Sequence, residues 1–193
     1  MEDPDYIGEP TKTPYAGCLL VATPLLPEPF QHAVIVLLEH DESGTLGVVL
    51  NQRTQVDVGT VLPAWRDHLT GGPQLFQGGP VSLDTALGLA AAEGEPAGFR
   101  RVAGALGVID LDTPPDELAP HLAAVRIYAG YAGWSPGQLE DELEEGAWAV
   151  VDPVDPVSDA FLADPDGLWE STLRRAGGTL AWWVNCPSDP SVN

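Results

Sequence analysis

Lysine occurs once in these 193 residues, as Lys12, and Lys and Arg together number 8 against 29 Asp and Glu, a formal net charge of -21. So few cations disfavour a nucleic-acid partner, because gripping phosphates takes several clustered Lys or Arg side chains. Only Arg100-Arg101 and Arg174-Arg175 are adjacent, and two short pairs make no basic face. The negative surplus instead favours solubility and self-repulsion. Cysteine is nearly as scarce. Cys18 and Cys186 are too few for a disulfide framework or a four-ligand zinc site. Cys18, between Gly17 and "LLVA", reads as a small buried hydrophobe. No apolar run approaches the roughly 18 residues that cross a bilayer, so no membrane partner is expected. The opening "MEDPDYIGEPTKTPYAG" has neither a basic start nor an apolar stretch, so a cytoplasmic location is expected. No P-loop, G-x-G-x-x-G or paired-Cys motif occurs, and we expect no cofactor and no metal.

What the chain does have is hydrophobic residues, at 44%, arranged in short runs. "GCLLVATP" reads as a buried strand ending at Pro24, and "AVIVLLEH" as a strand apolar on both faces. "DESG" supplies turn chemistry before "TLGVVLNQ", which predicts an antiparallel hairpin. "QLFQGGPV", "FRRVAGALGVID", "VRIYAGYAG" and "GAWAVVD" read as extended, while "TALGLAAAE" fits strand or helix. "VDVGTVLPAW" fits a short helix or turn. "TPPDELAPHLAAV" predicts a helix from Pro114 or Pro115 capped by Thr113, and "LWESTLRRAGG" an amphipathic helix ending at a glycine pair. The pattern predicts an α/β protein of mixed α+β type, with a largely antiparallel or mixed β-sheet flanked by helices. One domain over 15–185 is expected, between a flexible arm at 1–14 and a flexible tail at 186–193.

Gly133-Trp134-Ser135-Pro136-Gly137 matches the G-x-S-x-G nucleophile elbow. The elbow's oxyanion hole needs the backbone N–H of the residue after the serine, and here that residue is Pro136, which has none. The base should follow the serine, yet the last histidine is His121. The same residues fit a helix start: Ser135 as N-cap, Pro136 at N1, Gln138 completing a capping box, Trp134 and Leu139 as a staple, and Gly146 as the stop. No catalytic residue is assigned.

On that helix Glu140 and Glu144 share one face, and Asp141 and Glu145 the next, which reads as a solvated acidic face. "DPVDPVSDAFLADPDG" lacks the ligand spacing of a calcium loop and reads as a surface loop. His32 and His40 flank one strand, roughly 26 Å apart at about 3.3 Å per residue, so they cannot share a metal. His40-Asp41, at a strand end, fits either part of a site or a hydrogen-bonded turn.

"GCLLVATPLLPEPFQHAVIVLLEHDESGTLGVVLNQ", "FQGGPV" and "YAGWSPGQLEDELEEGAW" follow in this order, and together resemble the bacterial YqgE/AlgH family, also called UPF0301. The resemblance covers Gly17 to about Trp169. It departs at Gln31-His32-Ala33, at Thr23-Pro24 and in the ending "WWVNCPSDPSVN". It implies a layered α/β fold. Some members have been called transcriptional regulators, though no recognisable DNA-binding motif accompanies that name.

The expected function is a non-catalytic, regulatory binding protein whose partner is a small molecule or a protein. Its candidate surface gathers Glu39, His40, Asn51, Gly78, Gly79, Gln138 and Glu140, polar or glycine residues at element ends. An enzyme using His40 as general base with Glu39, Asp41 or Glu140 is the alternative, and a DNA-contacting regulator a third.

Overall fold

The computed structural model describes residues 12–24 and 26–185. Cys186, the tail expected at 186–193 and most of the arm expected at 1–14 lie outside the described residues. Ten strands form one curled sheet: β1 (Leu19–Ala22), β2 (Val34–Asp41), β3 (Gly44–Val49), β4 (Arg53–Asp57), β5 (Gln74–Gln77), β6 (Val81–Ala91), β7 (Phe99–Ala103), β8 (Leu106–Ile109), β9 (Ala124–Trp134) and β10 (Trp148–Val151). The main path runs β10-β1-β2-β3-β9-β6-β8-β7, with β4 and β5 off it. Every pairing is antiparallel except β5 with β9, which is parallel. Among the described residues four α-helices accompany it: α1 (Pro115–Leu118), α2 (Gln138–Glu144), α3 (Leu168–Ala176) and α4 (Leu180–Trp183). The mixed, helix-flanked sheet read from the sequence is the one observed.

The both-faces-apolar character of "AVIVLLEH" has a simple cause. Val34, Val36 and Leu38 of β2, with Leu19, Val21 and Val48, join Leu168, Trp169 and Leu173 of α3 in one core. Ile35 and Leu37, with Leu20 and Val49, join Leu139 and Leu143 of α2 in another. A strand covered on both faces cannot alternate apolar with polar residues. "TALGLAAAE" resolves as the end of β6, and "FRRVAGALGVID" as the β7–β8 hairpin.

Two local readings need correction. Thr113 does not cap α1. Its N–H goes to Asp110 O at 3.2 Å, the cap position belongs to Pro114, and regular helix ends after four residues, passing into a 3-10 turn that contains Pro120. The acidic stretch after β10 is not a surface loop throughout. It contains a π-helical turn, Ser158–Leu162, in which Asp159, Ala160 and Phe161 are buried. Arg175 neutralises Asp159 through two contacts of 2.8 and 3.2 Å, so the turn can sit against the core.

Strand β9 changes neighbours part-way. Along one side it pairs with β6; along the other its Tyr128 and Ala129 meet β5, then Ala132 to Trp134 meet β3. Gly78 and Gly79 lie at the changeover: Gly78 N–H donates to Ala129 O at 2.8 Å, and Val49 N–H donates to Gly78 O at 2.8 Å. Gly79 has φ +152°, and a Cβ there would stand 2.2 Å from the Tyr131 carbonyl. We therefore expect Gly79→Ala to lose at least about 2 kcal/mol of stability, read as a lower urea midpoint.

Cys18 is fully buried, and that burial pushes its thiol up to about 11. A raised thiol pKa leaves the folded state undisturbed below the ordinary value and weakens it as pH climbs toward 11. In a Cys186→Ser variant at pH 8, a disulfide reagent should leave Cys18 unmodified until denaturant unfolds the chain. Rapid labelling of the native variant would contradict this placement.

Candidate functional site

The start of α2 builds the best-defined polar constellation. Ser135-Pro136-Gly137-Gln138 is a turn closed by Gln138 N–H to Ser135 O at 3.0 Å, with Gly137 in the left-handed region at φ 79°. The helix therefore begins at Gln138 with Gly137 as its cap residue, and Ser135 is not the N-cap. Proline then glycine at the two central positions imposes a type II turn in place of a first helical turn. Half of the expected box survives: Gln138 Oε1 accepts from Ser135 N–H at 3.0 Å. At the other end Ala147 N–H reaches Glu142 O and Gly146 N–H reaches Leu143 O, a Schellman closure.

Glu142, absent from the sequence-based candidates, is the hub of this region. Its Oε2 accepts from Trp134 Nε1 at 2.9 Å and Trp148 Nε1 at 2.8 Å, and its Oε1 accepts from Gln138 Nε2 at 2.9 Å. The two indoles stand edge to face, 5.9 Å between ring centroids. Buried tryptophan N–H groups must find acceptors. A glutamate placed between two flanking tryptophans was the available signal. Gln138 thus serves the helix start and Glu142.

Next to this lies His40. Between Leu37 and Glu39 the β2–β3 register slips by one residue, a bulge. Beyond it the side chains exchange faces. His40 turns toward α2, its Nε2 3.6 Å from Glu140 Oε1, whereas Glu39 pairs with Arg100 Nη2 at 2.8 Å. His40 Nδ1 also lies 2.7 Å from Thr45 Oγ1. Both ring nitrogens have partners.

The seven candidates are not gathered at one point. His40 and Glu140 face one another across β2 and α2, while Gln138, at the start of the same helix, turns to Ser135 and Glu142. Glu39 is adjacent but faces β7. Asn51 lies at the far end of the hairpin, where its Oδ1 accepts from Val34 N–H and its Nδ2 donates to His32 O, both at 2.9 Å. Six residues of extended β2 separate Val34 from His40, roughly 20 Å. Asn51 thus clamps the loop that enters β2, while Gly78 and Gly79 shape the β9 junction. A shallow depression of about 200 Å³ beside the hairpin tip is walled by Glu39, Asp41, Thr45 and Trp134 among others. A roomier cavity of about 750 Å³ lies between the 93–97 loop and residues 113–123, and none of the seven candidates lines it. Its walls are mainly loop residues, and Glu95 there is held by Arg101 at 3.1 Å. Among the described residues no three His, Cys, Asp or Glu are grouped to hold a metal ion, and no helix is long and apolar enough to cross a membrane.

Residues 19–181 match the family model described as DUF179, AlgH-like. The chain belongs to the AlgH-like family. It is 58% identical over 187 residues to a UPF0301 protein of Streptomyces coelicolor, covering 92% of this chain and 94% of that one. A UPF0301 protein of Thermobifida fusca is 43% identical with the same coverage. Among solved structures, the chain is similar to a crystal structure from Corynebacterium diphtheriae, with TM-score 0.83, 32% identity and coverage of 91% and 94%. The solution structure of the AlgH protein from Pseudomonas aeruginosa aligns with TM-score 0.66, 26% identity and coverage of 93% and 98%.

Glu142→Ala should leave two buried indole donors without acceptors. We expect a loss of about 2–6 kcal/mol in urea unfolding, at roughly 1–3 kcal/mol per unsatisfied group. Glu142→Gln keeps one acceptor oxygen and should recover part of that loss; equal midpoints for the two variants would deny Glu142 this role.

Proposed function

We propose that this AlgH-like protein is a non-catalytic, cytoplasmic binding protein with a regulatory role, and that its partner is a protein docking on the acidic ridge of the β2–β3 hairpin tip and α2. The observation that carries the reading is the exposed acidic ridge itself, beside which His40 lies 2.7 Å from Thr45 Oγ1 and 3.6 Å from Glu140 Oε1. Thr45, whose hydroxyl is the one within reach of the ring, is buried, so the pair lacks the accessible nucleophile that a general base would activate. Here the imidazole instead ties the hairpin tip to α2. The neighbouring depression, near 200 Å³, is smaller than the roughly 300–1,000 Å³ of sites that enclose a drug-sized ligand. At this ridge, that favours a macromolecule over a small molecule. Asp41 and Glu42 at the tip, and Glu140, Asp141 and Glu144 on α2, are all exposed. A partner with a basic patch would meet them with complementary charge, which steers encounter and sets orientation.

A photo-crosslinking residue at Glu42, compared in living bacteria with one at Asp116 on α1, tests this. We expect a discrete adduct at position 42 alone, cut at least five-fold by combining Asp41→Asn with Glu140→Gln. Equal adducts at both positions, or none, would remove the docking surface. A turnover activity abolished by His40→Ala would overturn the non-catalytic reading.

A further inference from the structure

Of the eight Lys and Arg side chains, seven lie beside a carboxylate of this chain, from the exposed Lys12–Asp152 pair to Arg175 on the buried Asp159. Arg126 is the exception. It is 6% exposed, yet among the described residues no carboxylate pairs with it. The chain carries 29 acidic residues, so the lack of a partner is not a shortage of carboxylates. A guanidinium cannot escape burial by losing its proton. It needs compensation in place.

The protein supplies part of it. The guanidinium carbon lies 4.5 Å from the Phe76 ring centroid and 5.7 Å from that of Phe161, so aromatic π-density faces the cation. In the guanidinium plane, Nη1 donates to Ala160 O at 2.6 Å. Nε is buried with no acceptor, and Nη2 lies under the exposed turn at Gly71, where an added Cβ would stand 3.7 Å from it. Nε–H and Nη2–H form the side-on fork of the guanidinium, two parallel donors that match the two oxygens of a carboxylate. Two residues along β9, and so on the same face, the fully buried Tyr128 hydroxyl lies close enough to interact with the guanidinium, though it makes no hydrogen bond of full geometry.

We infer that Arg126 is the seat of a small monocarboxylate anion, of the size of formate or acetate, admitted beneath the Thr70–Pro73 turn and held by the Nε/Nη2 fork. The size follows from the enclosure of Nε, and the charge from the unmatched cation. The seat lies on β9 under Phe161, apart from the hairpin ridge, so it stands or falls independently of the partner proposed there.

Formate is the probe. In arginine-¹⁵N-labelled protein, the Nε–H resonance of Arg126 is identified by its slow exchange with solvent and by its loss in Arg126→Met. Titrating sodium formate against sodium chloride at equal ionic strength should shift that resonance saturably with formate alone. The melting temperature should rise with formate in the wild type and stay flat in Arg126→Met, because a ligand bound only to the native state stabilises it by mass action. An unmoved resonance, an equal response to chloride, or an Arg126→Met variant that responds like the wild type would overturn the assignment. Should that variant fail to fold, the wild-type resonance decides by itself.

Discussion

Strand β9 is the constraint on which the fold depends. Its eleven residues, Ala124 to Trp134, face β6 on one side and pass from β5 to β3 on the other. A single strand therefore joins the half of the sheet lying between α2 and α3 to the half that curls away through β8 and β7. The changeover requires another backbone to run hard against β9, and only residues without a side chain can do so. Gly78 and Gly79 meet that demand: a Cβ on Gly78 would lie 2.4 Å from Gly130 O. Two glycines that looked like site residues are there for main-chain proximity.

The same strand sets the chemistry at its ends. Its last residue, Trp134, carries the indole that binds Glu142 and so fixes α2 against the sheet. Near its start, Arg126 and Tyr128 point into the core shared with α3. Between them the β2 bulge decides which face His40 presents. Without the slip between Leu37 and Glu39, His40 would follow Val36 and Leu38 onto the α3 side. A one-residue irregularity in a hydrogen-bond ladder thus places a titratable ring beside Glu140.

How much of this could be read from the sequence follows from the range of the interactions involved. The hairpin of β2 and β3, the doubly covered strands and the stop of α2 at Gly146 rest on local pattern, and local pattern was legible. The start of α2 was misplaced because Pro136-Gly137 satisfies two rules at once, first helical turn and type II turn, and the left-handed glycine decides for the turn. Asn51 reads from the sequence as part of a candidate ligand or partner surface, and in the structure its side chain holds the backbone of Val34 and His32. Side-chain type alone does not separate a ligand-binding amide from a structural one. Glu142 escaped notice because its partners lie eight residues before and six after it, on two different strands. Arg126 escaped because nothing in "VRIYAGYAG" says that one arginine will be buried without a carboxylate.

The acidic surplus and the unpaired arginine are connected through the π-helical turn. Asp159 is itself buried, and it is bound by Arg175 on one side and by the Val154 N–H on the other. That clamp fixes a turn whose next two residues deliver the Ala160 carbonyl and the Phe161 ring to Arg126. Helical turns of this wide kind are rare and are over-represented at functional sites, because they aim groups that a regular helix would turn elsewhere. One neutralised ion pair thereby positions two of the contacts around the one cation left without a carboxylate. Among the described residues, negative charge elsewhere is met by Lys12, by arginines or by solvent. At Arg126 the polarity is reversed, and a buried cation in so acidic a protein concentrates the demand for an anion at a single, enclosed point.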